Sequence, residues 1–399
     1  MRIGIVALNS NLIHSNEQSN IIEYLNKKLY EIGEKVSLIS YFDNNYERLR
    51  SIVQENYDLI FFIGTDEAIY NYNVKNNLSR IVGDKLANND SSYTALKKYC
   101  NDNNIVFSMQ EESEVMLPSN AIPLVSSEYY NNGFMHKFNN TYIVFLPENI
   151  DFVKINYESY ILPLVREITM ISSECQVIKC FGILEKDIRS MISDYFALDN
   201  ITINIISDNL DSAIYIRYNK DCDHQKTQST ISDIVSILNK FIYALEDVSI
   251  YEMATQLLKL YNKTISIGET ITLGNITREL SQLNSNLIND SHIYLKFDAM
   301  KAELGLDNKV IDQFGKYSVN SVYELCNGLL EKYGADNALF VLADNDIRDI
   351  CYVAVGDLDG IHVYKNKINT KDLCYVDNIS KTAIFYLIKK LKQNSLQFR

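Results

Sequence analysis

The chain's 399 residues carry 38 Lys and Arg against 51 Asp and Glu, a formal charge of −13. That balance argues against sequence-independent binding to nucleic acid or anionic lipid, which needs clustered basic residues. With 47% hydrophobic and 22% charged residues, and only 14 Gly and 4 Pro, disordered, collagen-like and linker-rich readings fail as well.

The N-terminal MRIGIVALNSNLIHS lacks the basic and apolar regions of a signal peptide. Its β-branched run Arg2–Ala7 predicts a buried strand. Glu17–Gly33 predicts a helix with Ile21, Ile22, Leu25, Leu29 and Ile32 on one face. Lys35–Ile39 reads as a second strand, Asn45–Gln54 as a helix and Tyr57–Gly64 as a third strand. This alternation predicts a parallel α/β sheet covered on both faces, with ligands outside the carboxyl ends of its strands. The loops after Ala7 and Ile63 are therefore candidate functional positions. Thr141–Pro147 predicts a late strand, and a helix over Ser159–Met170 leads out of a first domain spanning 1–170. Residues 171–243 read as a small α+β domain: a helix over 184–195, strands Thr202–Ile206 and Ser212–Tyr218, and a polar loop Asp221–Gln228 before another helix. Residues 244–399 read as an α/β domain with a helix around Ile250–Leu258, strands Thr264–Gly268, Ala338–Leu342 and Ile350–Val355, and a closing helix Ser380–Lys392. No window approaches the roughly 18 uninterrupted apolar residues of a membrane span. Seven scattered cysteines suit a reduced, cytoplasmic protein.

Thr264-Ile265-Ser266-Ile267-Gly268-Glu269-Thr270-Ile271-Thr272-Leu273-Gly274 resembles, without a gap, the x-T-L-A-x-A-E-S-C-T-G-G segment that opens the C-terminal domain of the competence/damage-inducible CinA family. Leu304-Gly305-Leu306 and Gly315-Lys316-Tyr317-Ser318 are similar to that family's later L-G-V and G-A-V-S, and Phe181-Gly182-Ile183-Leu184-Glu185 to its F-G-I-G-E. Asp58–Thr65 resembles the D-L-V-x-x-x-G-G of the MoaB/MogA-like, molybdopterin-binding-type domain of full-length members. Leu117-Pro118, Gly133-Phe134 and Leu146-Pro147 follow in that domain's order. The resemblance implies an α/β protein built from a molybdopterin-binding-like parallel-sheet domain, a small α+β middle domain and a C-terminal α/β CinA-type domain. It also implies a homodimer.

Two activities are implied by the resemblance: amidohydrolysis of nicotinamide mononucleotide, with release of ammonia, and metal-assisted hydrolysis of ADP-ribose. Deamidation needs an activated hydroxyl, a base and donors for the oxyanion. The resemblance puts the nucleophile at Thr270, where the extra methyl restricts the side chain. The family's Tyr and Lys fall, without gaps, on Leu295 and Met300. A one-residue slip offers Lys301 as base, with Tyr294 or Lys296 near the Tyr position, but a slip within a strand turns every side chain over. Glu269 is expected to bond backbone N–H groups beside Thr270, and with Thr272 and Gly274 to form the nucleotide site. The family's T-G-I-A-G-P loop reads Leu342-Ala343-Asp344-Asn345-Asp346-Ile347, without glycines or hydroxyl.

Phosphate binding in the N-terminal domain needs several converging N–H groups. The family's glycine-rich motif reads Gly64-Thr65-Asp66-Glu67-Ala68-Ile69-Tyr70-Asn71-Tyr72 here, so Gly64, Thr65 and Asp66 are the nucleotide-binding candidates. The family's paired aspartates are Asn71 and Tyr72, its G-x-E-L-L acid is Asn11, and Leu146–Val153 lacks a glycine and a proline. A divalent metal is implied by resemblance, with Asp66 and Glu67 offering oxygens.

Cys222-Asp223-His224 joins a soft ligand to an imidazole but has no second cluster, and reads as an exposed loop. His14 lies in a candidate functional loop. Ser318 reads as a helix cap, and Lys389, Lys390 and Lys392 as the solvated end of the last helix. The expectation is a divergent CinA-type protein that has lost most catalytic side chains and at most binds a nucleotide of nicotinamide mononucleotide or ADP-ribose type. The alternatives are a working deamidase, with Thr270 as nucleophile and Lys301 as base, and a structural partner of an intact paralogue. The latter predicts an exposed apolar patch in place of the lost pockets.

Overall fold

The computed structural model describes residues 1–9, 15–169, 173–199, 201–219, 224–344, 347, 349–368 and 374–397. The chain divides into two compact units, 1–175 with 217–222, and 176–216 with 223–399.

The first unit runs β1 (Ile3–Leu8), α1 (Asn16–Glu31), β2 (Val36–Phe42), α2 (Tyr46–Gln54), β3 (Leu59–Ile63), α3 (Ala68–Ile81), β4 (Leu86–Asn88), α4 (Asp90–Asp102), α5 (Met109–Glu114), β5 (Met116–Pro118), β6 (Ile122–Leu124), β7 (Gly133–Phe138), β8 (Thr141–Leu146), α6 (Ile150–Asn156) and α7 (Leu162–Thr169). Six strands form one sheet in the order β2-β1-β3-β8-β7-β6. β1 is parallel to β2 and β3, and β3 to β8, whereas β7 is antiparallel to both its neighbours. The central strands are continuous apolar runs because both of their faces are covered. Ile5 and Phe61 meet Ile21, Leu25 and Leu29 of α1, while Val6, Ile60 and Phe62 share a second core with Val74 and Leu78 of α3. The helix expected over Ser159–Met170 begins earlier, as α6 and a π-helical turn at Tyr157–Ile161. The Asn149 carboxamide starts it by accepting the Phe152 N–H at 2.8 Å.

Asp84, between α3 and β4, accepts N–H bonds from Lys85 at 2.7 Å and Asn120 at 2.9 Å, and the Ser119 hydroxyl. His136 Nε2 lies 3.3 Å away. Burial pushes the Asp84 carboxyl up, but these partners outweigh it and hold the group at about 2. The folded value lies below the unfolded one of about 3.9. The stabilisation is therefore complete above the unfolded value and is lost as pH falls through about 2. Between about pH 5 and about pH 2, the urea midpoint should fall more steeply for the wild type than for Asp84→Asn. Equal slopes would show that Asp84 carries none of the acid sensitivity.

The second unit continues with β9 (Ser173–Phe181), α8 (Glu185–Met191), β10 (Ile201–Asp208), β11 (Asp211–Asn219), α9 (His224–Leu238), β12 (Ile242–Ala244), α10 (Ile250–Leu260), β13 (Ile265–Glu269), α11 (Asn275–Asn284), β14 (Ile288–Ile293), α12 (Phe297–Leu304), α13 (Asn308–Phe314), α14 (Val319–Tyr333), β15 (Asn337–Ala343), β16 (Ile350–Asp357), β17 (Gly360–Lys367) and α15 (Tyr375–Gln397). One sheet has the order β10-β11-β9-β12 and another β14-β13-β15-β16-β17. β13 is parallel to β14 and β15, while β16 is antiparallel to β15 and β17. Ile267, Leu339 and Val341 face the core shared with α10 and α15, and Phe340 and Leu342 the core shared with α14. A capping box opens α10: Ser249 Oγ accepts the Glu252 N–H and the Glu252 carboxylate accepts the Ser249 N–H. Ser318 caps α14 as expected, accepting the Ser321 N–H at 3.1 Å.

The closing lysines are not simply a solvated end. Lys390 is 6% exposed and pairs with Asp357 at 3.0 Å, and Lys392 donates to the Tyr243 carbonyl at 2.7 Å. α15 runs past them to Gln397, so their stems lie along a packed helix face and carry the ammonium groups to partners at its edge. Among the described residues no helix is long and apolar enough to cross a membrane.

Candidate functional site

In the first unit the carboxyl ends of β1, β3 and β8 bring together the loops read as functional. His14 and Asn11 lie outside the described residues. Gly64 is demanded by close approach: an added Cβ would sit 2.2 Å from Asn71 Oδ1 and 2.8 Å from the Phe145 ring. Asn71, 1% exposed, uses its whole carboxamide on the loop. Its Oδ1 accepts the Thr65 N–H at 2.9 Å and its Nδ2 donates to the Thr65 carbonyl at 2.7 Å. The buried Gln18 donates from Nε2 to the carbonyls of Gly64, at 2.7 Å, and Leu8, at 3.0 Å, tying the β1 and β3 ends together. Glu148 accepts the Asp66 N–H and the Ser15 hydroxyl. Burial pushes its carboxyl up, and the charges of Asp66 and Glu17 add to the effect. The N–H groups of Thr65 and Asp66 are thus taken by side chains of the chain itself, within a negatively charged neighbourhood. The implied divalent metal finds no support in the side chains: among the described residues no group of three His, Cys, Asp or Glu could hold one.

In the second unit the resembling segment forms the end of β13 and the turn into α11. Glu269 is fully buried, and its carboxylate accepts the Ile276 N–H at 3.2 Å, the Thr277 N–H at 3.0 Å and the Thr277 hydroxyl at 2.7 Å. It therefore bonds backbone N–H groups at the start of the helix. Thr270, 2% exposed, donates its hydroxyl to the Val341 carbonyl at 3.0 Å and accepts the Ala343 N–H at 2.9 Å. Thr272 is buried with its hydroxyl unbonded among the described residues. Gly274 is the left-handed N-cap of α11, at φ 85°. Lys301 Nζ donates to Asn308 Oδ1, so the structure does not join it to Thr270. Leu295 is 70% exposed, Met300 is buried in the core beneath α14, and Tyr294 is buried with its N–H on the Glu269 carbonyl at 2.7 Å. Cys222, Asp223, Asn345 and Asp346 lie outside the described residues.

Three features escaped sequence reasoning. Asn71 as a plug and Gln18 as a loop tie were not foreseen; the only signal was a carboxamide standing where the motif has an acid. The third is Leu273, which stands at the first glycine of the resembling segment with φ 51°. Every other described non-glycine residue with positive φ is an asparagine. The left-handed conformation costs an apolar L-residue about 1–2 kcal/mol.

No protein-family model matches the chain. A competence-damage inducible protein of Finegoldia magna is 24% identical over 400 residues, covering 94% of this chain and 92% of its own. One from Halothermothrix orenii is 23% identical over 410 residues, covering 97% and 98%. A solved competence-damaged (CinA) superfamily protein from Klebsiella pneumoniae 700603 aligns at 17% identity with TM-score 0.34, covering 37% of this chain and 99% of that one. The chain is thus similar, over nearly the full length of both sequences, to competence-damage inducible proteins.

Proposed function

We propose that this CinA-type protein acts by binding and assembly, and that the turn at Thr270 is a structural lock rather than a deamidase site. The observation that carries this is the Thr270 hydroxyl. A nucleophile must pass its proton to a base within hydrogen-bond reach, whereas this proton lies on the Val341 carbonyl and the oxygen accepts the Ala343 N–H. The ammonium of Lys301 is engaged with Asn308. Purified protein incubated with nicotinamide mononucleotide should release no ammonia above that of a Thr270→Val variant. Release by the wild type that the substitution abolishes would establish a threonine-nucleophile deamidase and overturn the proposal.

The reading as structural partner of an intact paralogue is favoured by one further observation. Leu273, Ile293 and Leu295 are 58%, 51% and 70% exposed at the carboxyl ends of β13 and β14. Ile293 abuts the Gly274 backbone, its Cδ1 2.6 Å from where a Cβ would stand. An apolar surface held in part by a strained leucine is unfavourable in water and suits a covered face.

A further inference from the structure

A cavity of about 310 Å³ opens in the second unit between the β10–β11 hairpin tip, the β16–β17 strands and the start of α15. It shares no residue with the turn at Thr270. Its apolar wall includes Leu210, Val353, Ile368 and Ile379, and the wall is well anchored. Val353 lies fully buried on β16, and the Leu210 carbonyl is held by the Gly182 N–H at 2.9 Å. The volume is at the small end of ligand pockets, which are typically about 300–1,000 Å³ and mostly apolar with a few placed polar groups.

The polar group that matters is Asn366. Its Oδ1 accepts the Tyr386 hydroxyl at 2.8 Å, and the Tyr386 ring lies flat against Tyr364, centroids 3.7 Å apart and planes 5° off parallel. That stack fixes the tyrosine, and the tyrosine fixes the plane of the carboxamide. Nδ2 is then left as a buried donor with no hydrogen-bond partner among the described residues. Buried donors are normally satisfied, so an acceptor belongs there. Among the described residues no carboxylate lines the cavity and Lys367 is the one lining charge, which also favours acceptor-bearing ligands.

We infer that this cavity is a binding site for a planar heteroaromatic carbonyl compound of nucleoside size. The ring lies between the aliphatic walls, and its carbonyl accepts from Asn366 Nδ2. The full chain titrated with inosine, followed by ligand-observed NMR and calorimetry, should bind with Kd below about 1 mM. Purine riboside, which lacks the carbonyl, should bind at least about tenfold more weakly. Asn366→Asp keeps an acceptor for Tyr386 but puts a repelling oxygen in place of the donor, and should weaken inosine by about tenfold or more, read well below the variant's own melting temperature. Leu210→Trp, at the hairpin tip and outside the sheet, should block binding by filling the cavity. No saturable binding of inosine at millimolar concentration overturns the inference. So does binding that both substitutions leave untouched.

Discussion

Replacing Lys75 by methionine is expected to destabilise the protein by about 3–5 kcal/mol. Lys75 on α3 and Glu114 at the end of α5 are both fully buried. The ammonium lies 3.1 Å from Glu114 Oε2 and 3.0 Å from the Glu114 carbonyl. The second carboxylate oxygen, Oε1, is buried with no hydrogen-bond partner among the described residues. Lysine is therefore the main compensation for a charge removed from water, and methionine would leave that charge alone in a low-dielectric interior. The double variant Lys75→Met with Glu114→Leu removes both charges at similar volume. It should recover to within about 1 kcal/mol of the wild type or exceed it. Urea unfolding of the three proteins, read at the transition of the first unit, decides the matter. If the double variant is no better than the single one, the loss comes from packing or from the helix contact, and charge desolvation is not its cause.

Elements whose apolar residues repeat at the period of the structure were legible in the sequence. β1, α1, β3 and β8 appear where the β-branched runs and the Ile21–Leu29 stripe predict them. The strand at Thr264–Gly268 is β13, and the wider segment of resemblance continues into the turn and α11. Glu269 was legible in role as well, because a carboxylate just before a helix has few other things to do than accept its free N–H groups. Short strands such as β4 to β6, three residues each, carry too little periodicity to stand out. Helix limits slipped where a cap or a π-helical turn, rather than hydrophobicity, sets them, as at Asn149 and Tyr157–Ile161.

The site was harder for a different reason. Whether Lys301 reaches Thr270 depends on a register that gapless counting leaves ambiguous by one residue, and one residue turns a side chain through about 100° on a helix such as α12. Whether a phosphate loop is open depends on one carboxamide, Asn71, whose partners lie six residues back along the chain. Sequence shows which groups are missing from a motif. It does not show what has moved into their place.

The largest effect expected in the candidate site follows from Glu269. Its substitution by alanine should cost about 3 kcal/mol, because hydrogen bonds to a charged group contribute about 1.5–3 kcal/mol each and do not add in full. The carboxylate satisfies the Ile276 and Thr277 N–H groups at the positive end of α11, and it receives the Thr277 hydroxyl proton. With that proton committed, the Ser291 hydroxyl must donate to Thr277 Oγ1. One buried acid therefore links β13, α11 and β14. Glu269→Gln retains one acceptor oxygen but turns an amide NH2 towards a backbone donor, so it should recover only part of the loss, leaving a deficit of about 2 kcal/mol. Thermal and urea unfolding should order the proteins as wild type, Gln, then Ala, with hydrogen exchange in α11 and β14 rising in the same order. An alanine variant as stable as the wild type would mean that water replaces the carboxylate at the turn. The pocket there would then be open to solvent, and the reading of this turn as a closed structural lock would fail with it.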